Sequence, residues 1–266
     1  MKTSLRRIWA MIYRHLAVYR RSWPRVAEIA YWPTLNLLIW GFTASYIAHL
    51  RGAPGVQTGG ALIAGVLLWE ITLRGQLGVT LGFLEEIWSR NLGHIFVSPL
   101  RPAELLAALL SVSLLRTLAG LFPATIIAYL LYHYNILLLG PVLLLFFVNL
   151  LFMGWWIALG IVSLLFRYGA GAEALAWTIA FGITPVACVY YPASALPVWL
   201  QPVAMALPAA HVFAGMRAGL FQHAADWPDL ASACALNLAW MLLAIVVFSA
   251  EFRRARIRGA LISIGE

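Results

Sequence analysis

Glu70 and Arg74 stand four residues apart inside a run, residues 59–83, that is otherwise free of charge. On a helix they share one face with the acid on the N-terminal side, the favoured order for an ion pair. An isolated charge near the centre of a bilayer costs about 2.5–3.5 kcal/mol, so neither is expected to face lipid. Two readings follow: a structural pair that steadies helix packing, or a polar stretch of a transport path. Arg116, inside a further apolar run at 105–131, is the other ionisable residue at such depth, and Glu104 is too far along the same helix to be its partner. Trp40 and Trp69 also fall deep within apolar runs. An aromatic ring there either packs the core or offers a greasy wall to a substrate.

Enzymatic chemistry has little to stand on. A phosphate-binding loop needs a lysine after its glycine-rich turn, and the sole lysine is Lys2. The six histidines show no HExxH or other metal spacing, and no GxSxG elbow occurs. The chain is therefore expected to be no enzyme and to bind neither metal nor cofactor.

The elements that carry these charges must be membrane helices. Of 266 residues, 63% are hydrophobic and 11% charged, with a mean hydropathy of +0.86. A soluble domain runs at roughly 45–50% apolar and 25% charged, and lipid leaves an open backbone nothing to bond with. The expected class is an all-α integral membrane protein, a single transmembrane domain over residues 1–266. The net charge of +8 comes from basic residues flanking apolar runs, so an anionic bilayer surface, and no nucleic acid, is the expected partner. Cys188 and Cys234 read as small buried hydrophobes.

A span needs about 20 apolar residues. Six runs qualify, at about 29–50, 59–83, 105–131, 136–166, 174–191 and 230–250. Basic residues crowd the first 25 positions, the loops after the second and fourth runs, and the tail, whereas the other loops hold only Arg51 and Arg217. That bias places both termini in the cytoplasm. Leu5, Ile8, Trp9, Ile12, Tyr13, Leu16 and Tyr19 recur at helical spacing with arginines around them, predicting an amphipathic interfacial helix over 3–22. Five of the 13 prolines (Pro185, Pro192, Pro197, Pro202 and Pro208) crowd a stretch without charge, predicting short re-entrant helices at 193–221 before the last span. Gly75, Gly78 and Gly82 mark a close helix approach.

Between the second and third runs, Glu85, Glu86 and Arg90 suggest a short polar helix over 84–96, with Glu86 and Arg90 at ion-pair spacing. Pro99 and Pro102 force a turn, and Glu104 falls in the first turn of the next helix, where the dipole favours an acid. The segment is either a solvated connection or a docking surface for a soluble partner.

Taken together, the amphipathic N-terminal helix, the six runs, the E-E-x-x-x-R segment followed by SPLRPAE at 98–104, and YYPASALPVWLQPVAMALPAAHVFAGMR at 190–217 make the chain resemble the permease subunit of type-2 ABC exporters. The resemblance covers essentially the whole chain. It implies a homodimer in a bacterial cytoplasmic membrane, docked on two P-loop ATPase subunits that hold ATP and magnesium. Glu85, Glu86 and Arg90 would lie on the coupling element. Spans one, two and five would border the path, with Trp40, Trp69, Glu70, Arg74 and Arg116 as candidates along it. The 193–213 region would close an outer gate, with Pro192, Pro197 and Pro208 as candidate elements. The cargo would be an amphipathic drug, lipid-linked or polysaccharide-type molecule. Other readings of the same residues are a secondary transporter or channel coupled through Glu70 and Arg116, or a membrane assembly subunit that transports nothing.

Overall fold

The computed structural model describes residues 2–50, 56–222 and 226–259, and every described element is helical. Arg51 and His223 lie outside the described residues. Four helices are long and apolar enough to cross a membrane: α3 (Val56–Trp88), α5 (Pro102–Tyr132), α6 (Val142–Tyr168) and α10 (Trp227–Ile257). The remaining elements are α1 (Lys2–Arg21), α2 (Trp23–Leu50), α4 (Leu92–Val97), α7 (Glu173–Gly182), α8 (Gln201–Met205) and α9 (Pro208–Gln222), with short 3₁₀ turns between some of them. α2 has the length of a span at 28 residues. Its tyrosines, tryptophans, Pro33 and Asn36 keep its hydropathy below that of the four.

α3 is the axis of the bundle and packs on α2, α5 and α6. Within its most apolar stretch 89% is buried, against 22% for α10 at the periphery. Glycine makes this possible. A Cβ on Gly154 of α6 would sit 2.5 Å from the Thr72 carbonyl oxygen, and one on Gly78 would meet Ser113 of α5 at 2.8 Å. Small residues let the backbones approach closely enough for hydrogen bonds across helices. The Ser113 hydroxyl donates to the Gly75 carbonyl at 2.7 Å and Thr72 to that of Leu150 at 3.1 Å. Between α6 and α10, Asn237 Nδ2 donates to Asn149 Oδ1 at 2.9 Å, and Trp156 Nε1 donates to Asn237 Oδ1 at 3.1 Å.

Three expectations about helix boundaries need correction. The run 174–191 is not one crossing helix. α7 has ten residues, about 15 Å of rise against roughly 30 Å of hydrocarbon. It stops because Pro185 has no N–H and disfavours helical backbone at Thr184. The fourth run is divided as well, into a 3₁₀ turn at Ile136–Leu139, a left-handed Gly140 (φ 64°) and α6. Nor is 84–96 one short helix: α3 runs through Glu85 and Glu86 to Trp88, and α4 starts anew at Leu92. Arg90 at φ 52° makes the break. Its N–H bonds the Ile87 carbonyl at 2.9 Å and the next N–H, of Asn91, bonds that of Glu86 at 3.0 Å. This pair of bonds around a left-handed residue closes a helix end, usually with glycine in that position.

The amphipathic stripe of α1 divides in two. Ile8, Ile12 and Leu16 pack on Ala108 and Val112 of α5. Leu5, Trp9 and Tyr13 stay 62%, 65% and 64% exposed, one apolar face free for a bilayer surface. Of the cysteines Cys188 is buried, but Cys234 is exposed on α10, contrary to the expectation that both are buried; both are free thiols.

Candidate functional site

The Glu70–Arg74 pair forms as its spacing predicts. Arg74 Nε donates to Glu70 Oε2 at 3.0 Å, with the Glu70 side chain 2% exposed. The other carboxylate oxygen accepts from Asn36 Nδ2 of α2 at 2.6 Å. Both oxygens of this buried carboxylate are thus engaged, one by a guanidinium and one by an amide. Arg74 then reaches a narrow cleft of about 30 Å³ between α2, α3, α5 and α7, whose lining includes Glu28, Trp32, Arg116 and Trp177. Arg116 enters from α5 with its guanidinium 5.0 Å from the centre of the Tyr19 ring, a cation–π contact that ties it to α1. Among the described residues no carboxylate lies within ion-pair distance of Arg116.

Trp69 and Trp40 lie apart from this cleft. Trp69 is buried, donating from Nε1 to the Thr184 hydroxyl at 3.1 Å and tilting against Phe213. Trp40 stacks on Tyr190 with ring centres 4.1 Å apart. Both rings serve to pin the irregular segment after α7 to the bundle.

At the α1 end, acids and bases are matched. Glu86, expected to pair with Arg90, instead accepts from Arg14 Nη2 at 3.0 Å and Asn91 Nδ2 at 2.8 Å. The left-handed turn carries Arg90 out of the i,i+4 position, and the three candidate coupling residues are not grouped. Arg25 pairs with Glu85 at 3.1 Å. Glu104 accepts from the Arg101 N–H at 2.9 Å, from Ser4 Oγ at 2.6 Å and from Arg7 Nη1 at 3.2 Å. α1 is therefore bolted to the ends of α3 and α5. His15 is buried with Nε2 3.5 Å from Glu86 Oε1. Desolvation outweighs the attraction of Glu86 and Glu85, and Arg14 and Arg116 add repulsion, so the ring's pKa lies below its ordinary 6.5. Burial takes Glu86 out of reach of any partner, whereas Trp88 and Val97 are 51% and 90% exposed and Arg90 lies on the surface between them.

The opposite end holds the proline-rich segment. Pro192 and Pro197 lie on its surface beside exposed Val198 and Trp199, and Pro208 is buried as the first residue of α9. His211 on α9 bonds two elements at once, with Nδ1 2.8 Å from Asp229 Oδ1 of α10 and Nε2 3.0 Å from the Met205 carbonyl oxygen of α8. Sequence reading singled out none of Asn36, Asn149, Asn237 or His211. A lone amide inside an apolar run was a signal available for the three asparagines.

No protein-family model matches the chain, and no curated protein resembles it significantly.

Proposed function

We propose that the chain is the transmembrane permease subunit of an ATP-driven exporter of the type-2 ABC class. Two copies would sit in a bacterial cytoplasmic membrane with both termini inside, docked on two soluble P-loop ATPase subunits that bind ATP and magnesium. α2, α3, α5, α6 and α10 would cross the membrane. α7 with the segment to Tyr191 would complete a sixth passage, and 193–221 would form the outer re-entrant cap. The observation that carries this reading is the surface between α3 and α5. Trp88, Arg90 and Val97 project from it, while Glu86 and Glu104 anchor it to α1 and Glu85 ties it to Arg25 of α2. A push on this segment would reach three helices together, as a coupling surface requires, and would bias the permease between inward- and outward-open states. With both of its oxygens engaged, Glu70 is not free to serve as a proton-coupling carboxylate, which weighs against the secondary-transporter reading of that residue. Affinity purification of the chain from its native host supplies the test. A P-loop ATPase should accompany it in stoichiometric amount and be released by Trp88→Ala with Val97→Asp. Recovery of the folded chain with no ATPase from membranes that contain one would refute the proposal.

A further inference from the structure

Hydrogen-bond donors outnumber acceptors in the cleft between α2, α3, α5 and α7. Arg74 engages Glu70 through Nε alone, which leaves the terminal nitrogens of its fork uncommitted, and Arg116 meets only the face of the Tyr19 ring. One carboxylate, Glu28, shares the lining and stands within ion-pair distance of neither arginine. Guanidinium groups held beside apolar surface demand acceptors, and their planar forks match an oxyanion. Trp32 and Trp177, 41% and 37% exposed, line the same cleft and give it an apolar flank.

We propose that this cleft binds the acidic head, phosphate or carboxylate, of a membrane amphiphile, with Arg116 and the free end of Arg74 as the anion-binding groups and the two indoles flanking the adjoining apolar portion. Glu28 opposes the bound charge and limits affinity. That the amphiphile is the cargo rests on the transport reading; that it binds does not.

The experiment uses the purified full-length chain in phosphatidylcholine nanodiscs without any ATPase, with labelled dioctanoyl phosphatidic acid as probe. Saturable binding is expected, displaced by unlabelled phosphatidic acid and at least tenfold less well by dioctanoyl phosphatidylcholine or inorganic phosphate. Arg116→Gln should weaken it about tenfold or more, Arg116→Lys less. Glu28→Gln, at an exposed position where folding is not at stake, should strengthen it several-fold, which a merely structural role for the cleft would not produce. Equal displacement by phosphatidylcholine overturns the acidic head, equal displacement by inorganic phosphate overturns the amphiphile, and an unchanged affinity in Glu28→Gln overturns the site. A chain that binds phosphatidic acid yet recruits no ATPase would refute the transport reading alone. One that recruits the ATPase but does not prefer phosphatidic acid would refute only this inference.

Discussion

The two charged regions of the molecule handle their arginines in opposite ways. At the α1 end Arg7, Arg14 and Arg25 each meet an acid on α3 or α5, and those acids take further bonds from Ser4, Asn91 and the Arg101 N–H. In the cleft, by contrast, Arg116 has a ring and no acid, and Arg74 is only partly used. A network this dense fixes helices in place, since motion would unmake several bonds at once, and within it only His15 Nε2 is buried without a hydrogen-bond partner among the described residues. An unsaturated one at membrane depth persists only if something else supplies acceptors. The first region is therefore built as a brace and the second as a place to bind.

Substitutions that break this contrast should differ in size in a set order. Glu70→Leu removes the one acid of the cleft region that is fully engaged and strands Arg74, so thermal unfolding in detergent should show a loss of about 3–5 kcal/mol, the range for breaking a buried pair. Glu86→Ala breaks the brace, but Arg14 is 44% exposed and can turn to water; the expected loss is about 2 kcal/mol, with α1 becoming cleavable by trypsin. Acidification should act on the same brace. Because the pKa of His15 is lowered in the folded chain, the unfolded state binds more protons just below pH 6.5, so stability present above that value falls as the pH drops through the window. His15→Phe should flatten that profile, and an unchanged slope would disconnect His15 from it. Arg90→Gly relieves a left-handed backbone that L side chains resist, and should leave stability unchanged or raised by up to about 1 kcal/mol while weakening ATPase stimulation. Smallest of all, Arg116→Gln should lower the melting temperature only slightly, since it gives up one cation–π contact with Tyr19 and no ion pair.

How far the sequence told this in advance depends on the range of each interaction. The Glu70–Arg74 pair, the close approach at Gly78 and the acid at Glu104 were legible because each follows from spacing along one helix. Misreadings arose where a local rule met a backbone break. Arg90 stands four residues after Glu86, yet its left-handed turn sends it elsewhere, and Pro185 stops the helix that hydropathy alone would carry to Tyr191. The apolar stripe of α1 was visible, but periodicity cannot say which half meets protein and which half meets lipid; Ile12 and Trp9 differ in nothing that a sequence window measures. Contacts between distant residues, such as Asn36 with Glu70 or His211 with Asp229, needed the fold.

The central proposal is that movement through the membrane is driven by nucleotide hydrolysis in a separate protein pressing on the Trp88–Val97 surface. Proteoliposomes holding this chain, with and without its co-purified ATPase, measure that directly when loaded with labelled amphiphile and given magnesium-ATP or an ion gradient. Transport should occur only with both the ATPase and ATP present, and should be lost with Val97→Asp. Full transport by the chain alone on an ion gradient would contradict it.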